Sequence, residues 1–298
     1  MVTNKYFFGT KVEKSIINIY KRIVKKNIFL ASYPKSGNTW LRAIITNALI
    51  KKKKFSLNEL KKILLLSSKQ NFKNFKDIKY SEDGDINFDW MSENIINCQK
   101  YLNETSTHFN IYKTHSVRHH KFTNETVNMG FIYIVRDPRD IVISLSHFAG
   151  GNLDRTINEM LYSKKLMATS NGAKELLSTW NLHARSWLEY NNVSRLIIRY
   201  EDLINETEEN ILQIFDFLNK ITQNKLFPNK IDIKKIINET SINNLKKEEE
   251  LFGFKEASKY SRFFRSGRTE QWKDILSLYQ IKLIEKELYP MMKQFNYL

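Results

Sequence analysis

The sequence predicts an α/β fold with a central parallel sheet flanked by helices, and three observations carry that prediction. Short, continuously apolar runs such as "NIFLASY", "FIYIV" and "RLII" read as strands buried on both faces. These runs end at polar or cationic residues, where open parallel sheets place their ligands. In "FLASYPKSGNTWLRAII", Phe29 to Ile45, an apolar strand restarts as a helix through a small cationic turn, an arrangement suited to holding a phosphate at a helix N-terminus.

The elements follow in order. Residues 11 to 26 carry Val12, Ile16, Ile17, Ile19, Tyr20 and Ile23 at mostly helical spacing and predict a peripheral N-terminal helix within residues 1–27. The strand "NIFLASY" comes next, then a helix over Thr39 to Lys51 with Leu41, Ile44, Ile45 and Leu49 on one face. Phe55 to Tyr101 is irregular, with an exposed turn at "SEDGDINFDW" before another helix. "HFNIYKTH" ends a second strand at His115, and Phe131 to Val135 is the core of a third, followed by a helix over Asp140 to Phe148. Ala173 to Tyr190 predicts a Trp-bearing helix, and "SRLIIRYEDL" a fourth strand ending at Tyr200. Beyond Lys220 the chain turns charged and helical, and "FGFKEASKYSRFFRSGRTEQWKD" reads as a long loop tied to something anionic. One domain over residues 1–298 is expected, without internal repeats.

Composition narrows the function. The 298 residues include 42% hydrophobic and 13% aromatic residues, which suits a globular core. No apolar run approaches the ~20 residues of a membrane-spanning helix, and no export signal is read at the N-terminus, so a cytoplasmic location and no membrane span are expected. A single cysteine, Cys98, excludes a disulfide framework and a cysteine-based zinc site. The net charge of +16 invites nucleic acid, an acidic membrane face or an anionic cofactor. Much of it, however, lies in tracts such as "KKKKF" that read as a solvated face, and no nucleic-acid-binding module is recognised.

The turn "PKSGN" is not the nucleotide-triphosphate loop. It lacks the leading Gly, Lys35 precedes Gly37, and no acidic partner for magnesium stands in the arrangement NTPases use. Its physics is the same: Gly37 permits close backbone approach, the amides of Ser36 to Thr39 can face an oxygen, and Lys35 adds a charge. A bound phosphate without a metal is the expectation. His119 and His120 suggest a metal cluster only by proximity, and no Cys or well-spaced carboxylate supports one.

Five segments together resemble the sulfotransferases that use 3′-phosphoadenosine 5′-phosphosulfate (PAPS). They are "YPKSGNTW", "YKTH" at Tyr112 to His115, "IVRDPRDIVISLSHF" at Ile134 to Phe148, "RYEDL" at Arg199 to Leu203 and "FRSGRTEQWKD" at Phe264 to Asp274, in the family's order. The resemblance implies a P-loop-like, 5′-phosphosulfate-binding strand-loop-helix, with residues 229–275 as a cap and C-terminal cofactor-binding loop. It implies that Lys35, Ser36, Gly37, Asn38 and Thr39 hold the 5′-phosphosulfate, that Trp40 stacks on adenine, and that Arg136 and Ser144 read the 3′-phosphate. Tyr200, Arg265, Ser266 and Gly267 complete the cofactor set, although Ser266 stands where the family has Lys, and Glu270-Gln271 where it has Gly-Asp. A serine brings no charge, so the nearby Arg268 is the candidate to compensate.

By the same resemblance His115 is the general base, an imidazole able to take a proton from an attacking hydroxyl near neutral pH. Lys35 and Lys113 would stabilise charge on the leaving and sulfuryl oxygens, Ser144 would bridge towards Lys35, and Phe148 would line the acceptor pocket. Trp40 as a core tryptophan, Arg136 paired with Asp137 or Asp140, Arg139 as a solvent-facing or paired residue, and His115 as a packed histidine remain the plainer alternatives. The implied activity is sulfuryl transfer from PAPS, with 3′-phosphoadenosine 5′-phosphate (PAP) as product. The acceptor is the hydroxyl, or in second place the amine, of a small molecule, lipid or glycan. The aromatic stretches 72 to 90 and 252 to 264 are the candidate walls and lid of its pocket. A homodimer is compatible with the sequence. The competing readings are a P-loop kinase or NTPase, which requires magnesium and leaves Arg136, Ser144 and Arg265 unexplained, and a basic nucleic-acid-binding protein.

Overall fold

The computed structural model describes residues 24–50, 54–163, 166–167, 174–227 and 231–298. The expected N-terminal helix lies outside the described residues except for 24–26, which have no regular structure and lead into β1 (Asn27–Ala31). Five strands form one parallel sheet in the order β2-β3-β1-β4-β7, with β2 at Leu64–Leu65, β3 at Asn110–Thr114, β4 at Asn128–Val135 and β7 at Ser194–Arg199. A short antiparallel pair, β5 (Leu166–Met167) with β6 (Glu175–Leu176), stands apart from it. Because β1 pairs with β3 on one side and β4 on the other, the chain changes direction across the sheet at β1, where a crevice opens beyond the strand ends.

Strand parity explains burial on both faces. Phe29, Ala31, Phe131, Tyr133 and Val135 face an aromatic core under α3 (Phe88–Thr105), α4 (Pro138–Ala149), α6 (Trp180–Leu188) and α12 (Leu278–Gln294). Their neighbours Ile28, Leu30, Ile132 and Ile134 face an aliphatic core with α1 (Asn38–Leu49) and α8 (Thr207–Thr222). Period-two alternation sends successive residues to opposite layers, and both layers are apolar, so the strands read as continuous hydrophobic runs.

Several elements depart from the sequence reading. Of the helix expected over 173 to 190, residue 173 lies outside the described residues; within 174–190 the helix is confined to α6, because Ser178 has φ 62° and Thr179 caps the helix by accepting from Leu182 N. The irregular segment after α1 contains a 3₁₀ turn at Leu57–Lys62 and a one-turn α2 at Lys69–Phe72. Also present are α5 (Leu153–Tyr162) and α7 (Tyr200–Asn205). Residues 231–275 hold α9 (Ile233–Glu239), α10 (Ile242–Phe252), an extended loop over 253–271 and the short α11 (Trp272–Ile275). No described helix is long and apolar enough to cross a membrane.

Candidate active site

A cavity of about 1590 Å³ opens at the carboxyl ends of the strands. Among the residues singled out from the sequence, Lys35, Gly37, Asn38, Thr39, Trp40, Lys113, His115, Arg136, Ser144, Phe148, Tyr200, Arg265, Ser266 and Gly267 all line it, and Ser36 lies buried just behind. The loop after β1, the ends of β3, β4 and β7 and the 253–271 loop thus converge on one chamber.

The loop after β1 depends on left-handed backbone. Lys35 has φ 66° and Gly37, which precedes α1, has φ 102°. A Cβ on Gly37 would sit 2.5 Å from Tyr200 Cδ2, so the glycine answers both a torsional and a steric demand. Asn38 secures the loop by donating to Leu30 O at 3.0 Å and to Ser32 Oγ at 3.2 Å. The Lys35 ammonium lies over the rings of Phe148 and Phe263, 4.6 and 4.1 Å from their centroids. Burial, with Arg136 and Lys113 nearby, lowers its pKa to about 8. Ser144 Oγ makes no hydrogen bond among the described residues, so the expected bridge from Ser144 to Lys35 is not formed here.

His115 is held in a defined tautomer. Its Nδ1 lies 2.8 Å from Ser32 O and 3.2 Å from Ser32 Oγ. A carbonyl oxygen only accepts, so Nδ1 carries the proton and Nε2 keeps a lone pair, with no partner among the described residues. Burial, then the positive charge of Lys113, holds the imidazole well below its usual pKa, so the ring is neutral at pH 7.

Arg136 donates to Lys35 O at 3.3 Å, to Arg268 O at 2.8 Å and weakly to Asp140 at 3.5 Å, tying the β1 loop to the C-terminal loop. Its guanidinium also stacks 4.5 Å from the Tyr200 centroid. Asp137 pairs instead with Arg139, which is buried, also meets Glu285 and lies 3.7 Å from the Trp272 ring centroid. Trp40 meets Tyr200 edge-on with centroids 6.0 Å apart. Arg265 donates to Gln271 Oε1 at 2.7 Å, and Ser266 Oγ accepts from Arg268 N at 3.3 Å. A smaller depression of about 360 Å³ brings Lys246 and Arg268 beside Arg265 and Ser266.

Four buried donors here, Ser36 Oγ, Trp40 Nε1, Arg42 Nε and Arg136 Nε, have no acceptor among the described residues. Donors left without acceptors are costly in a protein interior, and a ligand rich in anionic oxygens supplies the missing acceptors. The residues therefore fit a phosphorylated nucleotide. No group of three or more His, Cys, Asp or Glu placed to hold a metal occurs among the described residues.

Other site residues were not singled out from the sequence. Glu256, on the 253–271 loop, bridges Lys113 at 2.7 Å and Arg42 at 2.6 Å. Burial alone would raise its carboxyl, but the two cations hold it well below the carboxylate range. Glu249 accepts from Phe263 N and Phe264 N at 2.6 and 2.9 Å and so fixes the ring that covers Lys35. Ser32 could have been suspected from its place at the end of β1; Glu256 and Glu249 carried no local signal. The aromatic stretch 252 to 264 does line the chamber through Phe252, Phe254, Tyr260, Phe263 and Phe264. The stretch 72 to 90 does not: Phe72, Phe75 and Trp90 pack edge-on against one another beside α3, and the wall comes instead from Leu64, Leu65 and Ser68 to Gln70.

Comparison with known proteins gives consistent matches. The family model of the sulfotransferase domain matches residues 25–296. Rattus norvegicus sulfotransferase 2A6 is 28% identical over 180 residues, 55% of this chain, and the match spans 57% of the rat protein. Arabidopsis thaliana cytosolic sulfotransferase 9 is 23% identical over 94% of this chain and 82% of its own length. Among solved structures, retinol dehydratase in complex with androsterone and inactive cofactor PAP superposes with a TM-score of 0.59 at 17% identity, covering 94% of this chain and 85% of that one. Mouse sulfotransferase SULT7A1 complexed with PAP superposes with a TM-score of 0.56 at 21% identity, covering 90% and 84%.

Proposed function

Because the chain belongs to the sulfotransferase domain family, we propose that it transfers a sulfuryl group from PAPS to a hydroxyl of a small molecule. PAPS supplies the sulfuryl group, and PAP is the product. The observation that carries this reading is the convergence of a phosphate-type loop, a neutral imidazole with a free Nε2 and a basic C-terminal loop on one cavity.

The residues of the chain divide the work. The amides from Ser36 to Thr39 open α1 and, with Lys35, favour an anion at the β1 loop. Arg136, Arg265 and Ser266 receive the 3′-phosphate, with Lys246 and Arg268 providing the charge that Ser266 lacks. Trp40 and Tyr200 border the adenine. His115 Nε2 takes the proton of the acceptor hydroxyl as its oxygen attacks sulfur, and Lys35 keeps positive charge where negative charge grows on the leaving side. Lys113 serves the sulfuryl oxygens once it parts from Glu256.

The acceptor side is lined by Leu145, Phe148, Met160, Tyr260 and Phe263, with Tyr33 as a polar group. That wall suits an acceptor with an apolar body and one reacting hydroxyl; the androsterone in the retinol dehydratase complex is likewise an apolar body bearing a hydroxyl. A cytoplasmic location fits the name of the Arabidopsis thaliana relative.

Calorimetric binding of PAP, adenosine 5′-phosphate and Mg-ATP to wild type and Arg136→Ala tests the reading. Metal-independent preference for PAP, with loss of the 3′-phosphate discrimination in the variant, is expected. Tighter binding of Mg-ATP than of PAP would refute it and favour a kinase.

A further inference from the structure

Resting on the reading of His115 as the base, we propose that Glu175 and His183 are positioning residues that grip its main chain from both sides and keep Nε2 turned to the cavity. Neither lines the cavity; Glu175 reaches it through His115, and His183 through His115 and through the Tyr33 ring, which it meets edge-on at 5.5 Å.

Glu175 is 1% exposed and forms no ion pair among the described residues. Both of its carboxylate oxygens accept from His115 N at 3.2 Å, and Oε1 also takes Thr114 Oγ1 at 2.8 Å. Ser116 Oγ adds a longer contact at 3.5 Å. Burying a carboxylate among neutral donors is costly, and burial pushes this carboxyl up. A carboxylate kept there engages the backbone N–H of residue 115 and the hydroxyls of the residues on either side of it.

His183 holds the other side. It is fully buried, and burial lowers its pKa to about 3, so the ring is neutral. Its Nε2 lies 3.1 Å from His115 O and must donate, because the carbonyl only accepts. Its Nδ1 therefore accepts from Tyr133 OH, at 3.0 Å. With N–H and C=O both fixed, the Cα–Cβ direction of His115 is set, and the ring bond from Nδ1 to Ser32 O fixes its rotation. Two buried titratable side chains, remote in sequence from the loop motifs, thus determine where the catalytic lone pair points. The charged and titratable groups acting on the imidazole are Lys113, Glu256 and His183.

The experiment uses the full chain with Glu175→Leu, Glu175→Gln and His115→Asn. Nitrogen NMR of the His115 ring, assigned by its disappearance in His115→Asn, reports tautomer and titration. Turnover is expressed per PAP-binding site counted by calorimetry, which removes any unfolded fraction. Glu175→Leu is expected to keep PAP affinity, to lose the Nδ1–H tautomer, and to lose roughly 100-fold in kcat, the scale of a misplacement near 1 Å. Its acid limb should rise towards the ordinary imidazole value, since the released ring regains solvent. Glu175→Gln, which retains an acceptor oxygen, should restore the tautomer and recover most of the rate. A Leu variant with wild-type tautomer and turnover per site overturns the proposal. Should that variant not fold, Glu175→Asp withdraws the carboxylate by one methylene; a smaller loss of the same kind is expected, and unchanged tautomer and turnover overturn the proposal equally. Wild-type turnover in His115→Asn would instead overturn the assignment of the base, while the ring spectra would still report whether Glu175 holds it.

Discussion

Replacing Gly37 by Ala tests the loop on which the donor reading depends. A side chain at φ 102° adopts left-handed backbone, which costs an L-residue about 1–2 kcal/mol. The new Cβ would meet Tyr200 Cδ2 at 2.5 Å and Ile134 Cδ1 at 3.1 Å, and overpacking of that kind costs about 1–3 kcal/mol. The sum is roughly 2–5 kcal/mol, enough to move a urea midpoint by about 1 M. Tyr200→Ala provides the control, because it removes the ring and leaves the torsion. In a double-mutant cycle the steric part should appear as coupling of about 1–3 kcal/mol, and the torsional part should persist in Gly37→Ala/Tyr200→Ala. Calorimetry with PAP should show weakened binding in Gly37→Ala, because the loop must shift to relieve the contact. An unchanged urea midpoint together with unchanged PAP affinity would refute the argument that this loop is held by torsion and by Tyr200.

Two further outcomes follow from the electrostatics. With Lys35 lowered to about 8 in the free protein, an arriving anion raises it again, so PAP binding should take up roughly half a proton near pH 8 and about a tenth near pH 7. Affinity should fall as pH rises through 8, and calorimetry in buffers of different ionisation heat, with Lys35→Met as the control, measures this directly. Removing Lys246 and Arg268 together should weaken PAP more than adenosine 5′-phosphate and flatten the salt dependence of PAP binding; equal loss for both ligands would place these cations away from the 3′-phosphate.

The four longer strands, β1, β3, β4 and β7, were legible because their chemistry is local, whereas the two-residue β2, β5 and β6 were not read. "FIYIV" is apolar at every position, and a run without alternation belongs to a strand covered on both faces, which β4 is. The difference between its two layers, aromatic for Phe131 and Tyr133 and aliphatic for Ile132 and Ile134, was present in the letters as parity. The helix reading failed over 174–179 for a reason equally local but less visible. A non-glycine residue at positive φ, Ser178, precedes the cap Thr179, and only the folded backbone reveals that torsion.

The site divides along the same line. Lys35, His115, Arg136 and Tyr200 follow β1, β3, β4 and β7, and in a parallel sheet the carboxyl ends share one edge, so their convergence could be anticipated from the strand ends alone. The groups that set their protonation and aim could not. Glu256 reaches Lys113 across 143 positions, Glu175 reaches the His115 amide across 60, and the loop carrying Phe263 places a ring over Lys35. Nothing in the composition near Glu256 distinguishes it from the other acidic residues of a highly charged segment; its meaning comes from the two cations opposite it. The same holds for the proposed acceptor wall, to which three separate stretches within 64–70, 145–160 and 252–263 contribute. Motifs record the chemistry that the donor imposes, because that ligand demands particular groups at particular strand ends. Acceptor shape is imposed by how distant segments pack over them.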